Sequence, residues 1–297
     1  MTDPRGQAAL DQLVSILNLE ELELNLFRGR TPKEDRVRVF GGQVAGQALV
    51  AAGRTVEDGL VVHSLHSYFL RPGDPSIPIV YQVERLRDGK SFTTRRVTAI
   101  QHGLPIFNLS ASFQRPEQGI EHQLDKPASP DPDTLPTFRQ RVEPYLDKVH
   151  PDLKKWLQRE RPIDMRYVNP PDYLHPEKRP PHQQVWIRAD GTLPEPLLLH
   201  QCIVAYASDM TLIDTATLPH AIPWFDPKVQ MASLDHAMWF HRPFRADEWL
   251  LYAQESPTAT GARGFTTGRL YTRDGVHVVS VAQEGLIRQR ADVKRPR

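Results

Sequence analysis

The side chains able to do chemistry narrow quickly when the 297 residues are read for motif and spacing. No Gly-x-Ser-x-Gly string occurs, which argues against a serine nucleophile on a strand-to-helix elbow. No His-Glu-x-x-His string occurs either, so the helical zinc-hydrolase pattern is missing. One cysteine, Cys202, cannot build a thiolate zinc site, and the pairs His63/His66 and His236/His241 lack an obvious third ligand, so no metal is expected. Gly89-Lys90-Ser91 has the tail of a phosphate-binding loop, but Glu84 stands where that loop needs a glycine, and the string reads as a turn. What remains is a set of carboxylates and imidazoles. Asp209, Asp214 and Asp226 lie close in sequence, and each is suited either to general-base work or simply to capping an element. His66 and His236 follow two Ser-Leu pairs; imidazole titrates near neutral pH, though a packed, hydrogen-bonded histidine is the simpler reading of both.

The elements that must hold these groups come from an internal repeat, the feature to seek before any local assignment. Ser64-Leu65 answers Ser233-Leu234, Arg71-Pro72 answers Arg242-Pro243, Phe92-Thr93-Thr94 answers Phe265-Thr266-Thr267, and Gly103 answers Gly275, in one order and with small gaps. Each copy is rich in Val, Ile, Thr, Phe and Tyr and is broken by turn signals such as Asp88-Gly89 and Asp274-Gly275, which predicts an antiparallel meander. Ahead of each meander stands a helix. Residues 43–56 place small and apolar side chains at helical spacing behind the pair Gly41-Gly42, and residues 196–209 are apolar on most faces and therefore buried. Short strands are expected before these helices, at residues 36–40 and 184–189. Strand, buried helix and meander, twice over, predict an α+β chain in which a sheet wraps a helix in each half.

Between the copies the chain is rich in Pro, Asp and Glu over residues 115–135, which reads as a linker; an amphipathic stretch at 145–160 and a Pro-rich run follow it. The division expected is an N-terminal unit over 1–115 with a leading helix at 8–19, a linker or insertion over 116–183, and a C-terminal unit over 184–297. Lys and Arg number 37 against 36 Asp and Glu, a net charge of +1 that gives no reason to expect nucleic acid as a partner. Mean hydropathy is −0.48 and no apolar run approaches the ~20 residues of a bilayer span, so no integral membrane association is expected. The opening residues lack a basic-then-apolar signal pattern, the closing Lys-Arg-Pro-Arg is not a peroxisomal address, and one cysteine suits a reducing compartment; the expectation is cytoplasmic.

Six stretches taken together carry a family resemblance: FGGQVAGQAL, HSLHSYFLRPG, DGKSFTTRRV, YASDM, SLDHAMWFHRPF and GFTTGRLYTRDG followed by VAQEG. In this order, over nearly the whole chain, they resemble the bacterial acyl-CoA thioesterase II family, the TesB type. The resemblance implies a double hotdog fold, two helix-in-sheet units in tandem, and hydrolysis of medium- to long-chain acyl-CoA to free fatty acid and coenzyme A.

It also implies a site. Family members hold the hydrolytic water with an Asp, a Ser or Thr, and a Gln, and these match Asp209 in YASDM, Ser233 in ASLDH and Gln283 in VAQEG. Read without the family, Ser233 is a hydroxyl in an alternating strand and Gln283 an edge polar residue. Direct attack by water suits a thioester, which lacks the resonance stabilisation of an oxygen ester, and needs no cofactor beyond water. Backbone N–H groups near the start of a hotdog helix are the expected oxyanion donors. The first-half helix carries no carboxylate where the second ends at Asp209, so one centre per chain is expected. Arg71, Arg95, Arg96, Arg242, Arg263 and Arg288 are candidates to guide the coenzyme A phosphates. Exposed sheet edges favour a homodimer or higher homo-oligomer. Two rival readings stay open. One is a non-catalytic acyl-CoA or lipid-binding module; the other is a hydratase-type hotdog enzyme, whose Asp-x-Asn-Pro-x-His string the stretch Asn169-Pro170-Pro171-Asp172 matches poorly.

Overall fold

The structure is a computed structural model that describes residues 4–32, 37–172, 175–223 and 225–290. In the first half, helix α1 (Pro4–Leu17) leads into a hairpin of β1 (Glu20–Glu23) and β2 (Leu26–Gly29), and helix α2 (Gly41–Gly53) follows. Four long strands complete that half: β3 (Val61–Phe69), β4 (Ile79–Asp88), β5 (Phe92–Gln101) and β6 (Leu104–Gln114). Two short helices, α3 (Phe138–Val142) and α4 (Pro151–Gln158), lie in the connection. The second half runs β7 (Ile163–Tyr167), β8 (His182–Ala189), helix α5 (Leu197–Ser208), a 3₁₀ segment (Ile213–His220), β9 (Val229–Ser233), β10 (Asp235–Phe240), β11 (Leu250–Thr260), β12 (Arg263–Thr272) and β13 (His277–Gln289).

All pairings among the described residues are antiparallel, and the strands form one sheet in the order β1-β2-β4-β5-β6-β3-β10-β13-β12-β11-β8-β7, with β9 on the far end of β13. The two halves join at β3 and β10, where Leu65 faces Met238. On one side of that junction the sheet encloses α2 and on the other α5, and the two helices pack against each other inside it. This is the double hotdog arrangement.

Helix α2 can sit there because it is built from small residues. A Cβ on Gly42 would stand 2.3 Å from the carbonyl oxygen of Tyr206, and one on Gly46 would stand 3.2 Å from that of Cys202, so the helix backbones approach more closely than larger side chains permit. Its one central polar group is satisfied: Gln47 accepts from the Tyr81 hydroxyl at 2.7 Å and donates to the carbonyl of Ile16 at 2.7 Å.

Three local expectations are corrected. No strand forms at 37–40, and Arg36 lies outside the described residues; the strand ahead of α2 is β2, which pairs with β4 and buries Phe27. The Val39 N–H leaves the ladder to bond the carbonyl of Gly73, which is why an alternating sequence does not become a strand there. The stretch read as connection supplies β7, whose buried Ile163, Met165 and Tyr167 extend the sheet beyond β8. Ser64 and Ser233 are not in equivalent places: Ser64 stands inside β3 opposite Trp239 and Ser112, whereas Ser233 closes β9 opposite Gly285.

Candidate active site

Helix α5 stops at Asp209, which takes the capping position with φ −81° and ψ −2°. Ser233 comes from the end of β9 and Gln283 from the middle of β13, and the sheet brings both to the carboxylate. Ser233 Oγ donates to Asp209 Oδ1 at 2.7 Å, and Gln283 Nε2 donates to the same oxygen at 2.6 Å. Asp209 is 8% exposed and Gln283 is fully enclosed. Gln283 Oε1 is buried with no hydrogen-bond partner among the described residues. The three residues picked from the sequence therefore form one hydrogen-bonded cluster with an acceptor left over. That geometry is what a water needs when it must be gripped through its hydrogens and still offer a lone pair.

The other carboxylate oxygen faces the opposite half of the molecule. A Cβ on Gly41, the first residue of α2, would stand 2.7 Å from Asp209 Oδ2 and 2.7 Å from the Phe69 ring. The opening N–H groups of a helix have no carbonyl of their own helix to bond and carry its positive end. The acid ending α5 thus sits against the start of α2. Sequence reading saw Gly41-Gly42 only as a flexible pair before a helix. Their meeting with Asp209 depends on the antiparallel packing of two helices far apart in the chain, which no local spacing reports.

The remaining titratable candidates separate cleanly. His236 is fully buried, with Nε2 2.8 Å from Ser208 Oγ, and burial outweighs the nearby Asp209 and Asp235 charges to hold its pKa below the usual histidine value. It is a neutral imidazole behind the site. His66 points outward and meets Trp239 edge-on at 5.2 Å between ring centres. Asp226 caps a turn by accepting from the Lys228 N–H at 2.9 Å. Asp214, on the 3₁₀ segment, is different: burial and the negative charge of Asp209 push its carboxyl up to about 7. Among the described residues no group of three or more His, Cys, Asp or Glu side chains is placed to hold a metal ion.

Comparison with known proteins identifies the family of the chain. The acyl-CoA thioesterase family model matches residues 157–286, and the model of the acyl-CoA thioesterase N-terminal domain matches residues 30–114. The human protein acyl-coenzyme A thioesterase 8 is 45% identical over 98% of this chain and 93% of its own. The chain belongs to the acyl-CoA thioesterase family. Acyl-CoA thioesterase 2 of Haemophilus influenzae is 38% identical over 94% of this chain and 98% of its own. The crystal structure of the acyl-CoA thioesterase II TesB2 from Mycobacterium marinum superimposes with a TM-score of 0.77 at 46% identity, covering 94% of this chain and 99% of that one.

In this member of the acyl-CoA thioesterase family the first half carries a filled counterpart of the site. Gln47-Ala48-Leu49-Val50-Ala51 in α2 aligns with Gln201-Cys202-Ile203-Val204-Ala205 in α5, which sets Thr55 where the second half has Asp209. The strand registers set Ala111 where Gln283 stands: Arg71 bonds the Pro105 carbonyl as Arg242 bonds the His277 carbonyl, and Ala111 and Gln283 each follow six residues later. Carboxylate and amide are replaced by a hydroxyl and a methyl group. The same registers set Arg95, opposite Ala111, against Thr266, opposite Gln283. Arg95 is 1% exposed; its guanidinium donates to Thr55 Oγ1 at 2.8 Å and to the Thr55 carbonyl at 2.9 Å, and it pairs with Asp88. Arg95 is therefore a buried plug, which removes it from the arginines proposed to guide phosphates.

Proposed function

We propose that the chain hydrolyses medium- to long-chain acyl-CoA thioesters to free fatty acid and coenzyme A by direct attack of water, with Asp209, Ser233 and Gln283 as the catalytic group. The observation that carries this reading is the convergence of the Ser233 hydroxyl and the Gln283 amide on one oxygen of a nearly enclosed carboxylate. Those two donors occupy Oδ1 and leave Oδ2 as the base. Water donates one hydrogen to Oδ2 and the other to the unpartnered Gln283 Oε1, and its lone pair adds to the thioester carbonyl. The carbonyl oxygen gains negative charge, and the N–H groups opening α2 at Gly41 and Gly42 are its donors. When the carbonyl re-forms, the carbon–sulfur bond breaks and the thiolate leaves; the proton taken by Asp209 passes to sulfur or to solvent. No cofactor is required by these steps.

One centre per chain belongs to the same reading, since Thr55 and Ala111 stand where the second half has Asp209 and Gln283. The division into units over 1–115 and 184–297 with a connecting segment over 116–183 belongs to the same reading, with β7 of that segment pairing with β8 at the end of the sheet. So do a cytoplasmic setting and a homodimer or higher homo-oligomer. The single cysteine supports the first, and exposed Tyr68, Leu86 and Phe92 on the strands support the second. No helix among the described residues is long and apolar enough to cross a membrane.

The test is thiol release from acyl-CoA substrates of graded chain length by wild type and Asp209→Asn. Hydrolysis by the wild type and a loss of roughly 100-fold or more in the variant is the expected result. A folded wild type that binds acyl-CoA and releases no thiol from any substrate returns the chain to the ligand-binding class.

A further inference from the structure

Ser233 faces Asp209 because the strand that carries it is out of step with the strand that follows. Ser233 lies opposite Gly285 of β13, whereas Ala237 lies opposite Ala282. Four steps along the β9–β10 stretch therefore answer three along β13, and the extra residue is a β-bulge between Ser233 and Ala237. Side chains alternate between the two faces of a sheet, so one extra residue moves those before it to the opposite face. Met238 and Phe240 of β10 are buried while Ala237 and Trp239 lie on the outer face, and an unbroken strand would put Ser233 outside with them. The bulge turns it inward, to the side where a Cβ on its partner Gly285 would collide with Ile213 of the 3₁₀ segment. In the first half Val62 lies opposite Phe113 and Ser64 opposite Ser112, so there the bulge comes before the serine and leaves Ser64 on the outer face, opposite Trp239.

A bulge breaks the ladder, and the backbone groups it frees need other partners. The Leu234 N–H donates to the Glu284 carbonyl at 2.9 Å, and an unbroken antiparallel pair would return a bond from the Glu284 N–H to the Leu234 carbonyl. That carbonyl instead accepts from the Phe69 N–H of β3 at 2.9 Å. The Glu284 N–H goes to a side chain: Asp235 Oδ1 accepts it at 2.6 Å, a short bond to a carboxylate. From this exchange we infer that Asp235 is a positioning residue for the hydrolysis, whose carboxylate stands in for the missing backbone carbonyl and locks the bulge that turns Ser233 toward Asp209. The anchor point is firm, because Glu284 directly follows Gln283 in β13, a strand flanked by β10 and β12. β9 is five residues long, half-buried throughout and paired only with β13, so Ser233 is the member of the group that a loosened bulge would move. The inference rests on the reading of Ser233 as part of the catalytic group, and adds what aims it.

The experiment measures kcat and KM for thiol release from dodecanoyl-CoA by wild type, Asp235→Ala, Asp235→Asn, Ser233→Ala and the double variant of Asp235→Ala with Ser233→Ala, with thermal melting of each. Asp235→Ala should lower kcat by about fivefold or more and leave KM within about twofold, because the serine is displaced and no substrate contact is removed. Asp235→Asn should recover most of that loss, since an amide oxygen still accepts the Glu284 N–H. In the Ser233→Ala background the change Asp235→Ala should cost less than about twofold in kcat, as no hydroxyl is left to aim. An equal cost with and without Ser233 overturns the inference, as does wild-type kcat in Asp235→Ala or a loss in Asp235→Asn as large as that in Asp235→Ala. A wild type that releases no thiol, or one whose kcat survives Ser233→Ala, overturns the underlying reading instead. If Asp235→Ala does not fold, Asp235→Glu, which keeps the charge but moves the acceptor by one methylene, takes its place in both backgrounds with the same outcomes.

Discussion

Gly41 and Asp209 stand so close that a methyl group on the first would lie 2.7 Å from Oδ2 of the second. One residue opens the helix of the first half and the other ends the helix of the second. The candidate site is therefore a joint between the two units, and neither copy of the repeat contains it alone. An anion at this joint lies at the favourable end of α2 and the unfavourable end of α5, so the hydrogen bonds from Ser233 and Gln283 carry much of the work of keeping the carboxylate in place.

Gly41→Ala tests the closeness of the joint. The added methyl must displace both the carboxylate and the Phe69 ring, and a displacement of about 1 Å at a catalytic group costs on the order of 100-fold. The expected result is a fall in kcat/KM of that order in thiol release, with the protein still folded by circular dichroism. Wild-type activity in Gly41→Ala would show that the base has room to move without consequence.

Ser233→Ala and Gln283→Ala each remove one of two donors to the same oxygen, and each should reduce kcat/KM by roughly tenfold or more. Because both act through Asp209, the double variant should lose less than the product of the single losses. Stability should also fall, by about 1–3 kcal/mol for each donor withdrawn from a nearly enclosed carboxylate. Strict multiplicativity in the kinetic cycle would count against a shared role.

Much of this was legible in the sequence because the signals involved are periodic or repeated. Long alternating strands, two helices apolar on most faces and ordered landmarks in two copies are all consequences of burial inside one sheet. The errors fell where a local pattern competes with a tertiary partner. Residues 36–40 alternate like a strand, yet Val39 bonds Gly73 outside any ladder. β7 is five residues long beside a Pro-rich run, too short to register against its surroundings. Ser64 and Ser233 share a Leu neighbour but not a register, because β9 and β10 are separate strands where β3 is continuous. Arg95 looks like any strand arginine until Thr55 is set beside it.

Arg95→Leu removes the plug of the silent half. Its guanidinium is enclosed while its partner Asp88 is half in water, so the loss combines broken bonds to Thr55 with a partly screened ion pair. A destabilisation of about 2–4 kcal/mol is expected in urea unfolding. Activity per folded molecule should hold, since Arg95 lies in the half without a base. A large loss of kcat at unchanged stability would assign it a part in the working site after all.

Asp214→Asn probes the second carboxylate. In the folded chain its pKa is pushed up from 3.8 to about 7. The folded state therefore keeps a proton that the unfolded chain gives up at lower pH. Between about pH 4 and pH 7 stability falls as pH rises, and above pH 7 the full cost of an ionised Asp214 is present. The amide has no such cost, so Asp214→Asn should be more stable than wild type near pH 8, by up to about 4 kcal/mol for a rise of about three units at about 1.4 kcal/mol each, and should show little gain near pH 4. Urea unfolding at the two pH values reads this directly. Burial is the larger cause of the shift and the charge of Asp209 the smaller, so the gain near pH 8 should persist, reduced, in an Asp209→Asn background. A gain that vanished completely there would make Asp209 the sole cause and tie the two carboxylates into one titrating pair.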